Sequence, residues 1–274
     1  MGGRPTERVL AARIEPDVVT GGRPARRPEE VLVEEPLELR VDDVLVATTM
    51  RTPGHDFELA AGWTLAEGLL GPVGRITDIR YCATGPAVDT GFNTVSVTTS
   101  GGGPVATPRL GTVSSSCGVC GTEAVAALVD RMAPLPADTT VRVATLLGAP
   151  DAVAGRQDLF EATGGSHAAA MLDADGQVLV VREDIGRHNA ADKVVGRLLL
   201  DGRLPVAGST LWISGRASFE MVQKAWAAGC TALVSVSAPS SLAVATAERA
   251  GLVLAGFTRS GRTTVYAGLE RVVG

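Results

Sequence analysis

Cysteine is scarce in this chain, aromatic side chains are few, and no long uninterrupted apolar run occurs. Four cysteines in 274 residues, Cys82, Cys117, Cys120 and Cys230, cannot staple a protein of this length, so a disulfide scaffold is excluded and a reducing compartment, the cytoplasm, is expected. Aromatic residues make up 4% of the chain, a poor supply for reading bases by stacking. The net charge of −5 also argues against a nucleic-acid partner, because nonspecific binding needs a basic field to displace counterions from phosphates. No stretch approaches the roughly 18–20 apolar residues of a membrane span, and the arginine-rich start lacks the apolar centre of a secretory signal. Neither a Walker loop nor a G-x-G-x-x-G follows any expected strand, which leaves ordinary ATPase and NAD readings without support.

What is present is enough hydrophobic residue, 45%, to bury a real core, and 33 glycines for tight turns. Residues 1–28 mix Arg, Glu, Pro and Gly without periodicity and predict a disordered tail. Apolar alternation at Leu37, Leu39 and Val41, the turn Asp42-Asp43 and the run Val44 to Thr49 predict a hairpin. Asp56 is placed to cap a helix that runs to about Leu70, and strands follow near 76–81 and 94–98. Residues 29–110 thus form a small α+β unit. Further helices are expected at about 122–132 and up to about Phe160, with a second hairpin over 168–182. From there the pattern alternates: helix 187–200, strand 209–213, helix 218–228, strand 232–236, helix 240–250, strands 252–257 and 263–266. Such alternation predicts a mostly parallel sheet with helices on its faces, an α/β domain over 122–274.

Two constellations carry chemistry. The first is Ser114-Ser115-Ser116-Cys117-Gly118-Val119-Cys120-Gly121, two thiols three positions apart just ahead of an expected helix whose positive end favours a thiolate. Gly111, Gly118 and Gly121 make 111–121 a mobile cysteine loop. Structural zinc needs four ligands, and Cys82, Cys230 and the three histidines lack ligand spacing. A thioredoxin-like dithiol and a persulfide relay both remain open on spacing alone.

The second is a set of loops rich in small and cationic residues where strands end and helices begin: 163–167, 183–189, 214–218, 237–241 and 257–262. In an open α/β sheet ligands bind at the carboxyl ends of strands, and helix N-termini offer free N–H groups to phosphates. Arg187, Arg216, Arg259 and Arg262 would supply charge, with Ser214, His188 and Lys193 beside them and His167 as a pocket candidate. His188 and Asp192, four apart on one helix face, form a candidate pair in which the carboxylate orients the imidazole.

The strings SSSCGVCG (114–121), TGGSHAAA (163–170), REDIGRHNAADKVVG (182–196), SGRASFEMVQKAWAAGC (214–230), SAPSSLAVATAERAGL (237–252) and GFTRSGRTTVYAG (256–268), with TPGHDFELAAGWTLAEGLL (52–70), resemble the formate dehydrogenase accessory sulfurtransferases, the FdhD family, in the same order. The resemblance implies a cytidine deaminase-like C-terminal domain with a mixed sheet, and a homodimer. It implies a sulfurtransferase that takes persulfide sulfur from a cysteine desulfurase and hands it to the molybdenum or tungsten bis-guanine-dinucleotide cofactor, Mo-bis(molybdopterin guanine dinucleotide) in the molybdenum case, that formate dehydrogenase needs. On that resemblance Cys117 is the persulfide cysteine, Cys120 its relay partner, and Phe257, Thr258, Arg259, Ser260, Gly261 and Arg262 the cofactor contact, for which GDP is a mimic. The alternative is a chaperone that carries the cofactor without transferring sulfur. Zinc-deaminase chemistry has no support, since H-x-E and P-C-x-x-C are both missing.

Overall fold

The structure, a computed structural model, describes residues 3–14, 26–71, 74–82, 92–101, 103–104, 129–130 and 132–274. The cysteine loop over 111–121, with Cys117 and Cys120, and most of the helix expected at 122–132 lie outside the described residues.

The chain opens with a two-stranded antiparallel ribbon, β1 (Thr6–Ala12) with β2 (Arg26–Leu32). The expectation of a tail throughout 1–28 therefore fails at β1. Its charged and apolar residues follow no face period because both faces of the ribbon are largely exposed, so the usual alternation has nothing to report.

A four-stranded sheet follows, in the order β4-β3-β6-β5, from β3 (Glu35–Val41), β4 (Val44–Arg51), β5 (Arg75–Tyr81) and β6 (Thr94–Ser100). The expected hairpin is β3–β4, and Asp42 and Asp43 take the positive φ its turn requires. Leu37, Leu39 and Val41 point into a core with Val46, Val95 and Val97, while Glu38 and Arg40 face outward. Helix α1 (Asp56–Ala66) packs on this sheet through Leu59 and Ala60.

Asp56 does not cap that helix. His55 occupies the cap position in a left-handed conformation, and the buried Asp56 carboxylate instead accepts two hydrogen bonds from Arg51, both 3.1 Å, and one from Tyr81. A guanidinium that is itself fully buried needs such a partner more than the helix needs a cap, since its charge would otherwise stand uncompensated.

The larger sheet has six strands in the order β13-β12-β11-β10-β8-β9. These are β8 (His167–Leu172), β9 (Val178–Asp184), β10 (Thr210–Ile213), β11 (Ala232–Ser235), β12 (Val253–Arg259) and β13 (Arg262–Ala267); short β7 (Val141–Arg142) and β14 (Val272–Val273) pair elsewhere. Side chains split by strand period. Ala169, Met171, Leu211, Ile213, Leu233 and Leu254 face α4 (Arg187–Leu200), α5 (Phe219–Ala227) and α6 (Ser241–Ala250). Ala170, Leu172, Trp212, Val234 and Ala255 face α2 (Val143–Val153); α3 (Asp158–Thr163) leads into β8. The sheet is mixed rather than mostly parallel: only β10–β11 and β11–β12 are parallel. The tight turns at 173–177 and 260–261 force β8–β9 and β12–β13 to run antiparallel, which helix–strand alternation alone does not reveal.

Helix α1 is apolar nearly all round because it is covered twice, by its own sheet and by α4. That stacking joins the two sheets. Among the described residues no helix is long and apolar enough to cross a membrane.

Candidate functional site

Strand directions bring the five predicted loops to one edge of the six-stranded sheet. Strands β9, β10, β11 and β12 end there, and β8, running the other way, begins there: His167 is opposite Asp184, and Ala169 opposite Ile213. The loops then bond to one another. Ser214 Oγ accepts the Ala168 N–H at 2.9 Å and lies 3.3 Å from His167 Nδ1. Ser235 Oγ donates to the Gly215 carbonyl at 2.6 Å, Ala217 N–H donates to Ala238, Ser240 N–H to Ala217, and Phe257 N–H to Ser237. The backbone at Gly215 runs close to two of the predicted residues, so that a Cβ there would lie 3.3 Å from Arg187 Cδ and 3.6 Å from His167 Nδ1.

At one end of the edge, the turn from β9 into α4 is fixed by buried Asp184. Its Oδ1 accepts from Gly186 N–H at 2.8 Å and Asn189 Nδ2 at 3.0 Å; its Oδ2 accepts from Thr52 N–H at 3.1 Å and pairs with Lys193 Nζ at 2.7 Å. Lys193 also donates to the Thr52 carbonyl, so the end of β4 and the start of α4 are held by one buried polar cluster. Lys193 is thus structural, and Arg187 and His188 are delivered to the site by a backbone that cannot drift.

His188 does not use Asp192. Its Nε2 stands 2.5 Å from Glu220 of α5, while Asp192 pairs with Lys224 at 2.6 Å. Positions 188/192 and 220/224 are one helical turn apart on two helices that start at the same sheet edge, giving two polar rungs between α4 and α5, of which Lys224–Asp192 is an ion pair. Sequence reading missed Glu220; the matched four-residue spacing on consecutive helices was the available signal. His167 is half-buried, and burial together with the Arg187 and His188 charges lowers its pKa, so the imidazole is held neutral beside the arginine.

At the other end, β12 and β13 are joined by Ser260-Gly261, both at positive φ, which sets Arg259 and Arg262 as directly facing cross-strand partners. Two like charges at facing positions repel, and among the described residues neither has a carboxylate within ion-pair distance. Phe257 also holds a left-handed conformation at φ 51°, at an irregularity of β12, and its side chain is 42% exposed. Together with Thr263 and Thr264 these residues line a cleft of about 310 Å³. Thr258 is fully buried and shares a 2.6 Å hydrogen bond with Thr263, so its side chain shapes the cleft without facing it. Arg216 is exposed between the two ends.

Four strand spacings separate the ends of β9 and β12, roughly 19 Å, so a single phosphate cannot reach both Arg187 and Arg259. The edge suits a long anionic ligand. Of the predicted residues, Ser214, His167, Arg187 and His188 gather at one end and Phe257 to Arg262 at the other; Cys117 and Cys120 are not among the described residues.

A family model described as the FdhD/NarQ family matches residues 32–273. The chain is 46% identical over 262 residues to a protein of Mycolicibacterium paratuberculosis named sulfur carrier protein FdhD, covering 93% of this chain and 96% of that one. It is also 46% identical over 278 residues to the protein of that name from Streptomyces coelicolor, covering 98% and 96%. Among solved structures, a Desulfotalea psychrophila protein ascribed a formate dehydrogenase accessory role superposes with a TM-score of 0.74 at 25% identity, covering 98% of this chain and 99% of that one.

Proposed function

The chain belongs to the FdhD/NarQ family, and on that premise we propose that it is a sulfur carrier for formate dehydrogenase, loading persulfide on Cys117 and delivering it to a guanine-dinucleotide metal cofactor held along the sheet edge. The observation that carries the ligand half of this reading is the Arg259–Arg262 pair: two exposed guanidiniums held face to face, without a counter-charge among the described residues, beside an exposed Phe257. Guanidinium recognises phosphate bidentately, and an aromatic face accepts a purine. The six-stranded sheet with α4–α6 on one side and α2 on the other is, in this reading, the cytidine deaminase-like unit over 122–274; the smaller unit over 29–110 braces it through α1. The protein works as a homodimer in the cytoplasm.

In the first step the Cys117 thiolate attacks the terminal sulfur of a persulfide on a cysteine desulfurase. A Cys117 S–S bond forms, the donor S–S bond breaks, and the donor cysteine leaves as thiolate. Cys120 either takes the sulfur in turn by the same exchange or displaces it as hydrosulfide by closing a disulfide, which a thiol reductant must reopen. The cofactor, molybdenum or tungsten, is cargo: Arg187, Arg216, Arg259 and Arg262 bind its phosphates, Ser214 and neutral His167 offer hydrogen bonds, His188 with Glu220 fixes the start of α4, and the 257–262 hairpin takes a guanine end.

Intact-protein mass after incubation with a desulfurase and cysteine tests the sulfur half. The parent chain gains one sulfur and Cys117→Ala gains none; a Cys117→Ala chain that still loads would overturn the assignment. GDP titration tests the ligand half. Arg259→Ala is expected to weaken binding about 10- to 100-fold, the worth of a charge-assisted hydrogen bond, and added salt to weaken the parent. Unchanged affinity would remove the sheet edge from the mechanism.

A further inference from the structure

Helix α3 is six residues long and buries none of them, so neither its length nor apolar burial does much to hold it in place. Its N-cap residue, Gln157, makes no side-chain cap. The first-turn N–H groups of Leu159 and Phe160 donate instead to the two carboxylate oxygens of Glu183 on β9, at 2.9 and 2.8 Å. The same carboxylate accepts the Ser166 hydroxyl at 2.6 Å, beyond the far end of the helix. One side chain thus closes residues 159–166 on the end of β9. Strand alternation separates it from its neighbour: Asp184 faces α4, where it meets Lys193 and Asn189, while Glu183 points to the opposite side of the sheet, where its cross-strand partner Ala168 packs towards α2. Arg182 and Asp184 pair with charged partners, Glu58 and Lys193; Glu183 is met by three neutral donors, bonds that an ionised acceptor makes strong.

His167 follows Ser166 directly. Before Ser166 stand Gly164, at φ 68°, and Gly165, so the chain there has little stiffness of its own. After it the β8 ladder begins, with His167 as its end rung opposite Asp184, and end rungs fray unless they are tied. Buried Ser166 is the tie. We propose that Glu183 is the positioning residue for the Arg187 end of the sheet edge: by gripping Ser166 and the start of α3 with one carboxylate, it fixes where the chain enters β8 and so where His167 stands against Ser214. The inference rests on the reading of that edge as a phosphate site and deepens it by naming what holds one end in shape. Glu183 touches no ligand in this scheme and acts through His167. The scheme also accounts for a carboxylate at an edge that binds anions, since its charge is bonded into α3 on the far side of the sheet.

The test compares the full chain with Glu183→Gln, Ser166→Ala and Gly196→Ala, the last destabilised elsewhere because its Cβ would meet the Glu58 carbonyl of α1. Glutamine offers one acceptor oxygen in place of two, so amide hydrogen exchange at Leu159 and Phe160 is expected to rise about 10- to 100-fold, the fold-change of one charge-assisted bond. Ser166→Ala leaves both amides bonded and their exchange as in the parent. In both variants the His167 titration, followed by ring proton NMR, is expected to move upward, because burial is the first cause that lowers it and a loosened entry to β8 hydrates the ring. The charges that act on the ring are those of Arg187, His188 and Asp184, and loss of a nearby carboxylate could only move a histidine downward, so the sign separates release from electrostatics. Gly196→Ala is expected to keep the parent's titration. Inorganic pyrophosphate, read by the same ring, is expected to bind Glu183→Gln and Ser166→Ala about 3- to 10-fold more weakly than the parent. A ring that keeps the parent's titration in both variants, or moves as far in Gly196→Ala, would overturn the proposal. If pyrophosphate shifts the ring in the parent and neither variant changes its titration, the phosphate reading stands and the role of Glu183 is refuted. If the variants move the ring and pyrophosphate leaves it untouched in the parent, Glu183 positions His167 as proposed and the phosphate reading of this end fails.

Discussion

Gly196 of α4 lies so close to the Glu58 carbonyl of α1 that a Cβ at position 196 would overlap that oxygen. The contact is reciprocal: a Cβ at Gly62 of α1 would overlap the Asp192 carbonyl of α4. Neither glycine has positive φ, so what position 196 requires is the absence of a side chain and not a special backbone.

Gly196→Ala is therefore expected to destabilise the protein even though alanine is the better helix former by about 1 kcal/mol. Overpacking against a backbone atom, which cannot yield by changing rotamer, costs about 1–3 kcal/mol net and lowers the melting temperature by roughly 3–10 °C. Gly148 in α2 has open space where its Cβ would be, so Gly148→Ala is expected to gain up to about 1 kcal/mol. Thermal unfolding of both variants checks the contrast; equal effects would mean helix propensity, not helix contact, governs position 196.

How far the sequence carried follows from burial. Helix α4 is found over Arg187–Leu200, as its apolar period predicts, because one face packs and the other does not. The convergence of the five loops was legible because Gly, Ser and Arg recur at strand ends, and strand order then brought them together. Strand β1 was missed because nothing on it is buried enough to impose a period, and the helix expected up to about Phe160 is instead two, α2 ending at Val153 and α3 beginning at Asp158, parted where Gly155 takes a positive φ. Partner choice was the least legible: Asp56 and His188 each had a plausible local role, and each is taken by a residue of another element, Arg51 and Glu220.

The Glu58 carboxylate is expected to set an acid limb of stability. Burial opposes its charge, but a bidentate pair from Arg182, at 2.6 and 2.9 Å, with help from His55, wins and brings its pKa down to about 2. A carboxyl lowered in the folded state stabilises above the unfolded value of 4.5 and loses that contribution as pH falls from 4.5 towards 2. Urea unfolding as a function of pH should show the loss, on the order of 3 kcal/mol. Arg182→Met should flatten this limb while lowering stability at neutral pH; an unchanged slope would detach the pair from the acid transition.

At His167 the expected signature is a ring that titrates below the ordinary histidine range. Burial is the first cause and the Arg187 charge the second, so Arg187→Gln should move the titration upward without restoring it fully. A phosphate ligand, by neutralising Arg187, should do the same in the parent. Ring proton shifts followed by NMR through a pH series, with and without GDP, read both. A histidine that titrates at its ordinary value in the parent would mean the imidazole is solvated and not part of the edge.

Cys230 is the thiol that should not react. It is fully buried behind α5, its sulfur 3.6 Å from that of Met171, and burial pushes its pKa up to about 12 against a weaker opposing hydrogen bond from Ser209. Near neutral pH the thiolate fraction at such a value is on the order of 10⁻⁴ to 10⁻⁵, and the thiolate is the nucleophile. Alkylation of the native protein is therefore expected to leave Cys230 unmodified, while unfolding in guanidinium exposes it. Cys230→Val should cost less than about 1.5 kcal/mol, since valine is of similar size and the site asks for an apolar body. On the proposed relay through Cys117, it should gain the same sulfur increment as the parent when incubated with a desulfurase and cysteine. If peptide mapping instead found sulfur or alkyl groups on Cys230 in the native state, the sheet core around Met171 would have to open on the timescale of the reaction, and sulfur loading could not be assigned to Cys117 without first blocking that route.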